Sequence, residues 1–186
     1  GYWSRGLGDV YKRQDINFIN SEGKEVDLSQ IDSEIIFEWS NLECPYVKRH
    51  YGSNNMQTTQ KFAKSKNVIW ITVISSAEGK QGYIQPNDAL NTFASFGSFP
   101  DHILIDENGD LGKKFNAKTT PHIFIADKNK NIVYQGAIDD AGGSRFWTTD
   151  LNQSTNFVKK VVNDIKSNKP LSVSKTRPYG CSVKYG

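Results

Sequence analysis

Short apolar runs of strand length alternate along the chain with segments whose apolar residues recur at helical spacing. The strand-like runs are rich in β-branched and aromatic residues, a composition typical of buried β-strands. They lie at 35–40, 68–76, 102–106, 119–127 and 131–138. Helical spacing follows Cys44 and recurs in 86–97 and 154–168. This alternation predicts an α/β fold with a central mixed β-sheet flanked by helices.

The two ends of the chain depart from this alternation. Asp15 to Leu28 contains two short strand-like stretches around a Ser-Glu-Gly-Lys turn, which predicts an N-terminal β-hairpin. Residues 169–186 have no regular apolar period and form a turn-rich C-terminal tail. We expect residues 15–186 to make a single domain, because the chain is too short to give two domains a core each.

Residues 1–14 look added to the protein. Asp9 to Gln14 match the translation of a transposase adapter end used in sequencing libraries, and no hydrophobic run follows the charges as it does in a signal peptide. We therefore exclude this segment from the fold, which lowers the formal net charge from +3 to +1, since it holds three basic residues and one acidic residue. The remainder has no clustered basic face for a nucleic acid.

Cys44 stands directly after a strand-like run and directly before Pro45. Proline suits the first position of a helix, which would put the Cys44 sulfur beside unpaired N–H groups and the positive end of the helix dipole. Lys48, Arg49 and His50 follow, and we expect their positive charge to favour the thiolate further. The alternative interpretation is an inert buried thiol, because free cysteine behaves as a small hydrophobe.

Three motifs in order carry a resemblance to a known family. EWSNLECPYVK, TTPHIFIAD and RPYGCSVKY together resemble the peroxiredoxin-like group of redoxins, of the alkyl hydroperoxide reductase and thiol-specific antioxidant type, in the thioredoxin superfamily. The resemblance covers roughly residues 15 to 185. It implies a thioredoxin-like fold, and it implies that Thr120-Pro121 is a cis-proline loop lying against an active Cys44.

The chain departs from both well-known patterns of this superfamily. Val47 stands where the second cysteine of a Cys-x-x-Cys motif would be, so Cys44 matches the first, attacking cysteine and lacks a local partner. A typical peroxidatic motif would require Pro at position 37 and Thr or Ser at position 41, but the chain has Phe37 and Asn41. Peroxidase activity therefore cannot be carried over from the resemblance.

Cys181, the second cysteine of the chain, is the candidate to resolve a sulfenic acid or mixed disulfide on Cys44. Its turn-rich surroundings would let the tail fold back over the start of the helix. The alternative is that Cys181 only packs. The residues expected to shape the site are Trp39, Asn41, Pro45, Thr120 and Pro121.

These residues predict a thiol-based redox protein, an oxidoreductase that performs thiol–disulfide exchange or peroxide-linked antioxidant chemistry at Cys44. We expect no cofactor, no nucleic acid and no transmembrane segment. The expected partner is a thiol or disulfide protein, or a small thiol that donates electrons, with a peroxide as a further candidate substrate. Two alternatives stay open: a non-catalytic thioredoxin-fold binding module and a copper-handling protein. The compartment, cytoplasmic or periplasmic and exported, also stays open.

Overall fold

A computed structural model describes residues 17–186. The predicted adapter-derived segment, 1–14, lies outside the described residues. Within the described part, none of the helices has the length and apolar character needed to cross a bilayer.

Five strands form the central sheet. They are β3 (Ile35–Trp39), β4 (Ile69–Ile74), β5 (His102–Ile105), β7 (His122–Ala126) and β8 (Ile132–Gly136). In space their order is β5-β4-β3-β7-β8. β3 runs parallel to β4, and β4 parallel to β5, whereas β7 is antiparallel to both β3 and β8. The mixed sheet expected from the sequence is therefore confirmed.

Helices cover both faces of this sheet. They are α1 (Pro45–Gly52), α2 (Asn55–Ser65), α3 (Pro86–Ser95), α4 (Asp110–Phe115) and α5 (Phe157–Lys166). One buried cluster, the helical layer, receives side chains from α1, α2, α3 and α5. The cluster on the opposite face, the second layer, receives side chains from α4 and from the N-terminal hairpin. The N-terminal hairpin pairs β1 (Asn17–Ile19) with β2 (Glu25–Asp27), as expected.

β3 lies at the centre of the sheet, and both of its faces are buried. All five of its residues are buried. Ile36 faces the helical layer, and Phe37 and Trp39 face the second layer, as the period of two along a strand requires. The residues that follow β3 therefore lie at the end of the sheet, where α1 begins.

The C-terminal tail is more ordered than its sequence pattern suggests. Gln135 in β8 and Lys175 form an isolated parallel bridge. Further along, β9 (Cys181–Ser182) pairs antiparallel with β6 (Thr119–Thr120). The tail therefore crosses the end of the sheet and passes directly over the start of α1.

Candidate redox site

Cys44 occupies the N-cap of α1, and Pro45 follows it in the first turn. The Cys44 backbone is extended, with φ −73° and ψ 126°, and its carbonyl accepts from the Lys48 N–H at 2.9 Å. The first N–H groups of a helix have no carbonyl partner within it, and the dipole makes this end positive. A Cys44 thiolate would therefore be stabilised where the helix begins.

Cys44 and Cys181 form a disulfide across 137 residues of sequence. Their Cα atoms are 6.1 Å apart, within the usual range for a disulfide. Cys44 is 0% exposed, whereas Cys181 is only partly buried. The disulfide thus links a fully buried cysteine of the helical layer to a partly exposed cysteine of the tail.

A two-strand pairing aligns the tail with the loop before β7. Thr120 pairs with Cys181, and Thr119 with Ser182. The Thr120–Pro121 peptide bond is cis, and the Cys44 Sγ lies 3.4 Å from the Thr120 carbonyl oxygen. Both cysteines therefore contact the same Thr120 backbone.

Gly180 makes this close approach possible. Its φ is 147°, in the region that L side chains rarely adopt. A Cβ atom at this position would also overlap the backbone of Thr120. Only glycine therefore brings the tail near enough to the loop for Cys181 to reach Cys44.

Tyr179 anchors the tail on the N-terminal side of Cys181. Its hydroxyl donates to the Asp139 carboxylate and lies 3.2 Å from His50 Nε2. Asn55 Nδ2 contacts both Asp139 Oδ2, at 3.2 Å, and His50 Nδ1, at 3.0 Å. His50, Asn55, Asp139 and Tyr179 therefore close a ring of side-chain contacts, which we name the tyrosine anchor.

One arrangement of protons satisfies every group in the tyrosine anchor. The two Asn55 amide hydrogens are donated to His50 Nδ1 and to Asp139, so His50 Nδ1 is an acceptor and the proton of its ring lies on Nε2. His50 Nε2 then donates to the Tyr179 oxygen, whose own hydrogen goes to Asp139. Because His50 in this tautomer is neutral, the ring of contacts requires an uncharged imidazole.

Electrostatics agree with that assignment. Burial, helped by the charge of Arg49, lowers the pKa of His50 to about 3. Burial raises the pKa of Asp139, and the hydrogen bonds from Tyr179, Ala141 and Asn55 hold that rise back. Burial and the Asp139 charge raise the pKa of Tyr179. At neutral pH His50 is therefore neutral and the Tyr179 hydroxyl keeps its proton.

Backbone contacts hold the tail on the C-terminal side of Cys181. The Val183 N–H donates to the Lys118 carbonyl at 3.1 Å, and the Ala77 N–H donates to the Lys184 carbonyl at 3.0 Å. The Tyr185 hydroxyl donates to the Ala117 carbonyl at 2.7 Å. Cys181 is thus held between two independent attachments.

The helix that carries Cys44 is attached to the sheet by a buried carboxyl group. Glu38, in β3, is 0% exposed. The Tyr51 hydroxyl of α1 donates to it at 2.9 Å, Trp70 Nε1 at 2.9 Å, Thr72 Oγ1 at 3.1 Å and Gln60 Nε2 at 3.4 Å. Burial raises the pKa of Glu38, and these donors oppose the rise. The Tyr51–Glu38 bond therefore fixes α1 to the centre of the sheet.

The residues expected to shape the site divide into two groups. Pro45, Thr120 and Pro121 lie around Cys44. The Asn41 amide turns away, accepting from the Glu43 N–H at 2.9 Å and approaching Gln81 at 3.3 Å. The structure does not bring the Trp39 side chain to Cys44.

Trp39 lies instead in the second layer, on the opposite face of the sheet from Cys44. Its Nε1 donates to Ser75 Oγ at 3.0 Å, and its ring packs 5.0 Å from the ring of Phe115. Consecutive strand residues point to opposite faces, which explains this placement.

The positive charge expected near Cys44 is smaller than the sequence suggests. The expectation that His50 adds positive charge is wrong, because its lowered pKa leaves it neutral. Arg49 donates to the Thr149 carbonyl at 2.6 Å and lies over the Phe146 ring. Lys48 is exposed. The start of α1 itself therefore contributes positive potential beside Cys44.

The other two histidines lie apart from the cysteines. His122 pairs with Trp39, so it shares the face of the second layer, and burial lowers its pKa to about 3. His102 contacts Asn20 at 3.1 Å. Among residues 17–186, no group of three or more histidine, cysteine, aspartate or glutamate side chains is arranged to hold a metal ion.

Sequence reasoning missed the tyrosine anchor. Its four members come from α1, α2, the segment after β8 and the tail, and no spacing along the chain links them. The only local signal was the Pro-Tyr-Gly-Cys sequence of the tail, in which an aromatic residue and a glycine directly precede Cys181.

Comparisons with known proteins agree with this architecture. No curated protein matches the sequence significantly. The structure is similar to a hypothetical protein from Sinorhizobium meliloti, with 18% identity, a TM-score of 0.74 and 91% of each chain covered. It is also similar to an uncharacterized conserved protein from Geobacillus kaustophilus, with 19% identity, a TM-score of 0.75 and coverage of 92% of this chain and 88% of that one.

A third similar structure carries the name of the fold. It is a thioredoxin-like protein from Aeropyrum pernix, with 22% identity, a TM-score of 0.51 and coverage of 70% of this chain and 86% of that one. At these identities the likeness shows the fold alone, and the thioredoxin-like fold expected from the sequence is confirmed.

The sequence itself matches a known protein family. The model of the Redoxin family matches residues 11–146, a span that includes Cys44 and the Thr120–Pro121 loop but ends before the tail with Cys181. Together with the Cys44–Cys181 disulfide, this match supports a thiol redox function. The chain belongs to the Redoxin family.

Proposed function

We propose that the protein is a thiol–disulfide oxidoreductase that cycles between the Cys44–Cys181 disulfide and the corresponding dithiol. The observation that carries this proposal is the disulfide itself, which joins the N-cap of α1 to a partly exposed tail residue beside the Thr120–Pro121 loop. A structural disulfide would need neither a helix start nor a partly exposed cysteine. An exchanging disulfide benefits from both, because the first stabilises a thiolate and the second admits a reaction partner.

The geometry also supports a reversible pair. Cys181 is attached on both sides by contacts that do not involve its sulfur, at Tyr179 and at Val183. These contacts would keep Cys181 near Cys44 after reduction, so that the bond can form again without a search by the tail. The expected partner is a thiol or disulfide protein, or a small thiol that donates electrons.

The proposal does not extend to peroxide reduction. In the peroxidatic motif that would end at Cys44, the proline position holds Phe37 and the threonine position holds Asn41. Phe37 is buried in the second layer, and the Asn41 amide is engaged with Glu43 and Gln81. Neither residue offers a hydroxyl to bind a peroxide. Antioxidant activity of the peroxiredoxin type is therefore the less favoured alternative.

One set of assays tests these alternatives. The purified protein and the variants Cys44→Ser and Cys181→Ser are assayed for reduction of a disulfide substrate with dithiothreitol as electron donor, and for consumption of hydrogen peroxide. We expect disulfide exchange by the wild type and its loss in Cys44→Ser, with no peroxide consumption above background. Equal exchange by all three proteins would contradict the proposal, and a wild type without turnover would favour the binding module.

A further inference from the structure

We infer that an external thiol attacks the disulfide at Cys181 and expels Cys44, so that the mixed disulfide forms on the tail. This inference rests on the proposed function and names the order of events at the same site. It reverses the order that the motif around Cys44 suggests, in which Cys44 is the sulfur that exchanges with outside partners.

Exposure distinguishes the two cysteines. Cys44 is 0% exposed, enclosed within the helical layer, and its Sγ lies against the Thr120 carbonyl. Cys181 is partly exposed. An attacking thiolate must reach the sulfur with which it forms a bond. Of the two cysteines, only Cys181 has exposed surface while the tail is in place.

An open groove lies beside the tail segment that precedes Cys181. Its volume is about 750 Å³, and it is lined by Tyr46, Thr119, Phe157, Pro178 and Gly180 among others. Gly180 directly precedes Cys181, and Thr119 directly precedes the residue that pairs with Cys181. The groove is therefore large enough for a small thiol or a cysteine on an extended peptide, and its lining includes the residue directly before Cys181.

The identity of the leaving group favours the same order. A disulfide exchanges faster when the sulfur that leaves is the more stable thiolate. Cys44 leaves at the start of α1, where the helix dipole stabilises an anion. Cys181 leaves from β9, a strand of two residues without such a dipole. Exposure and the helix dipole therefore select the same bond-breaking event.

Two thiol–disulfide exchange steps reduce the protein. The external thiolate forms a bond to the Cys181 sulfur, the Cys44–Cys181 bond breaks, and its electron pair leaves on the Cys44 sulfur as a thiolate. A second external thiolate then attacks the external sulfur of the mixed disulfide and releases the Cys181 thiolate. The protein gains two electrons, and two external thiols are oxidised to one external disulfide.

A mapping experiment on the wild-type protein tests the order. Oxidised protein is mixed with glutathione, quenched with acid after short times, alkylated with N-ethylmaleimide and digested with trypsin. Cleavage gives residues 25–48 with Cys44 and residues 176–184 with Cys181, so mass spectrometry reads the two sulfurs separately. We expect glutathione on 176–184 in at least tenfold excess over 25–48, with the alkyl group on Cys44.

The outcomes separate this inference from the proposed function. Glutathione mainly on residues 25–48 would overturn the inference and leave a thiol–disulfide oxidoreductase in place. Neither peptide carrying glutathione, even at large excess of the thiol, would overturn both. The same protein unfolded in urea is the control, because both sulfurs are then accessible and both adducts must be detected.

Discussion

The two halves of one disulfide are held by different regions of the molecule, although each region uses a tyrosine hydroxyl bonded to a buried carboxyl group. On the helix side, Tyr51 bonds to Glu38 in the middle of the central sheet. On the tail side, Tyr179 bonds to Asp139 in the segment after β8. The first carboxyl group has three other side-chain donors, and the second has one such donor and a backbone N–H.

Because of this difference, the two tyrosine–carboxyl contacts are expected to affect different properties of the protein. Glu38 ties together β3, α1, α2 and β4, so its hydrogen bonds belong to the cooperative core, and losing one affects the stability of the whole domain. The tyrosine anchor holds the C-terminal tail, which contributes no strand to the central five-stranded sheet. Losing it is expected to change the position of Cys181, and therefore the disulfide equilibrium, more than the stability of the domain.

The largest expected effect comes from breaking the link between the two regions. Reducing the Cys44–Cys181 disulfide frees a loop of 137 residues, and removing such a cross-link typically lowers the free energy of unfolding by about 2–5 kcal/mol. Denaturation in urea with and without a phosphine reductant measures this loss. Cys181→Ser is the control and should not respond to the reductant. Identical midpoints for reduced and oxidised wild type would contradict the prediction.

The next effect concerns the helix side alone. Tyr51→Phe removes one donor from the buried Glu38 carboxyl group, and we expect the free energy of unfolding to fall by about 1–3 kcal/mol. Urea denaturation of the oxidised protein measures it. The equilibrium constant for disulfide formation in glutathione buffers should stay within about twofold of wild type. A large change in that constant with an unchanged free energy of unfolding would show that Tyr51 acts on the disulfide and not on the stability of the domain.

The pH dependence of the free energy of unfolding tests the protonation of His50 in the tyrosine anchor. The pKa of His50 is about 3 in the folded protein and about 6.5 in the unfolded chain. Below pH 6.5 the unfolded chain binds a proton that the folded protein does not, so stability is lost as the pH falls from 6.5 towards 3.

Each pH unit in that window costs about 1.4 kcal/mol for one such histidine. Wild type should therefore lose about 2 kcal/mol more stability than His50→Gln between pH 7 and pH 5. Denaturation at the two pH values measures the difference. His122→Gln should reduce this loss by a similar amount, because burial in the second layer lowers the pKa of His122 to about 3 as well. Parallel losses in wild type and His50→Gln would refute the assignment.

The smallest effect is expected on the tail side. Tyr179→Phe removes the hydrogen bond to Asp139 but keeps the ring, which packs 5.3 Å from the ring of Phe146. A loss of about 1 kcal/mol in positioning Cys181 corresponds to about a fivefold lower equilibrium constant for disulfide formation. Titration in glutathione buffers measures it, with Tyr51→Phe as the control. An unchanged constant would mean that the contacts after Cys181 hold the tail alone.

The sequence predicted the elements of the fold well. The period of apolar residues located the central strands and the amphipathic helices, and Pro45 after Cys44 placed the cysteine at a helix start. Each of these features depends on neighbouring residues, so local physics suffices to predict it. The expectation that Trp39 shapes the site ignored strand alternation, which places its side chain on the face of the sheet opposite Cys44.

The position of Cys44 and the fold around it were therefore determined by the sequence itself. The partner of Cys44, the difference in exposure between the two sulfurs and the tyrosine anchor were decided only by the tertiary structure. They depend on residues far apart in sequence, brought together when the tail crosses the end of the sheet. The physical reason is that periodicity and capping act within a few residues, whereas the burial of a sulfur and the charge of His50 depend on every segment that surrounds them.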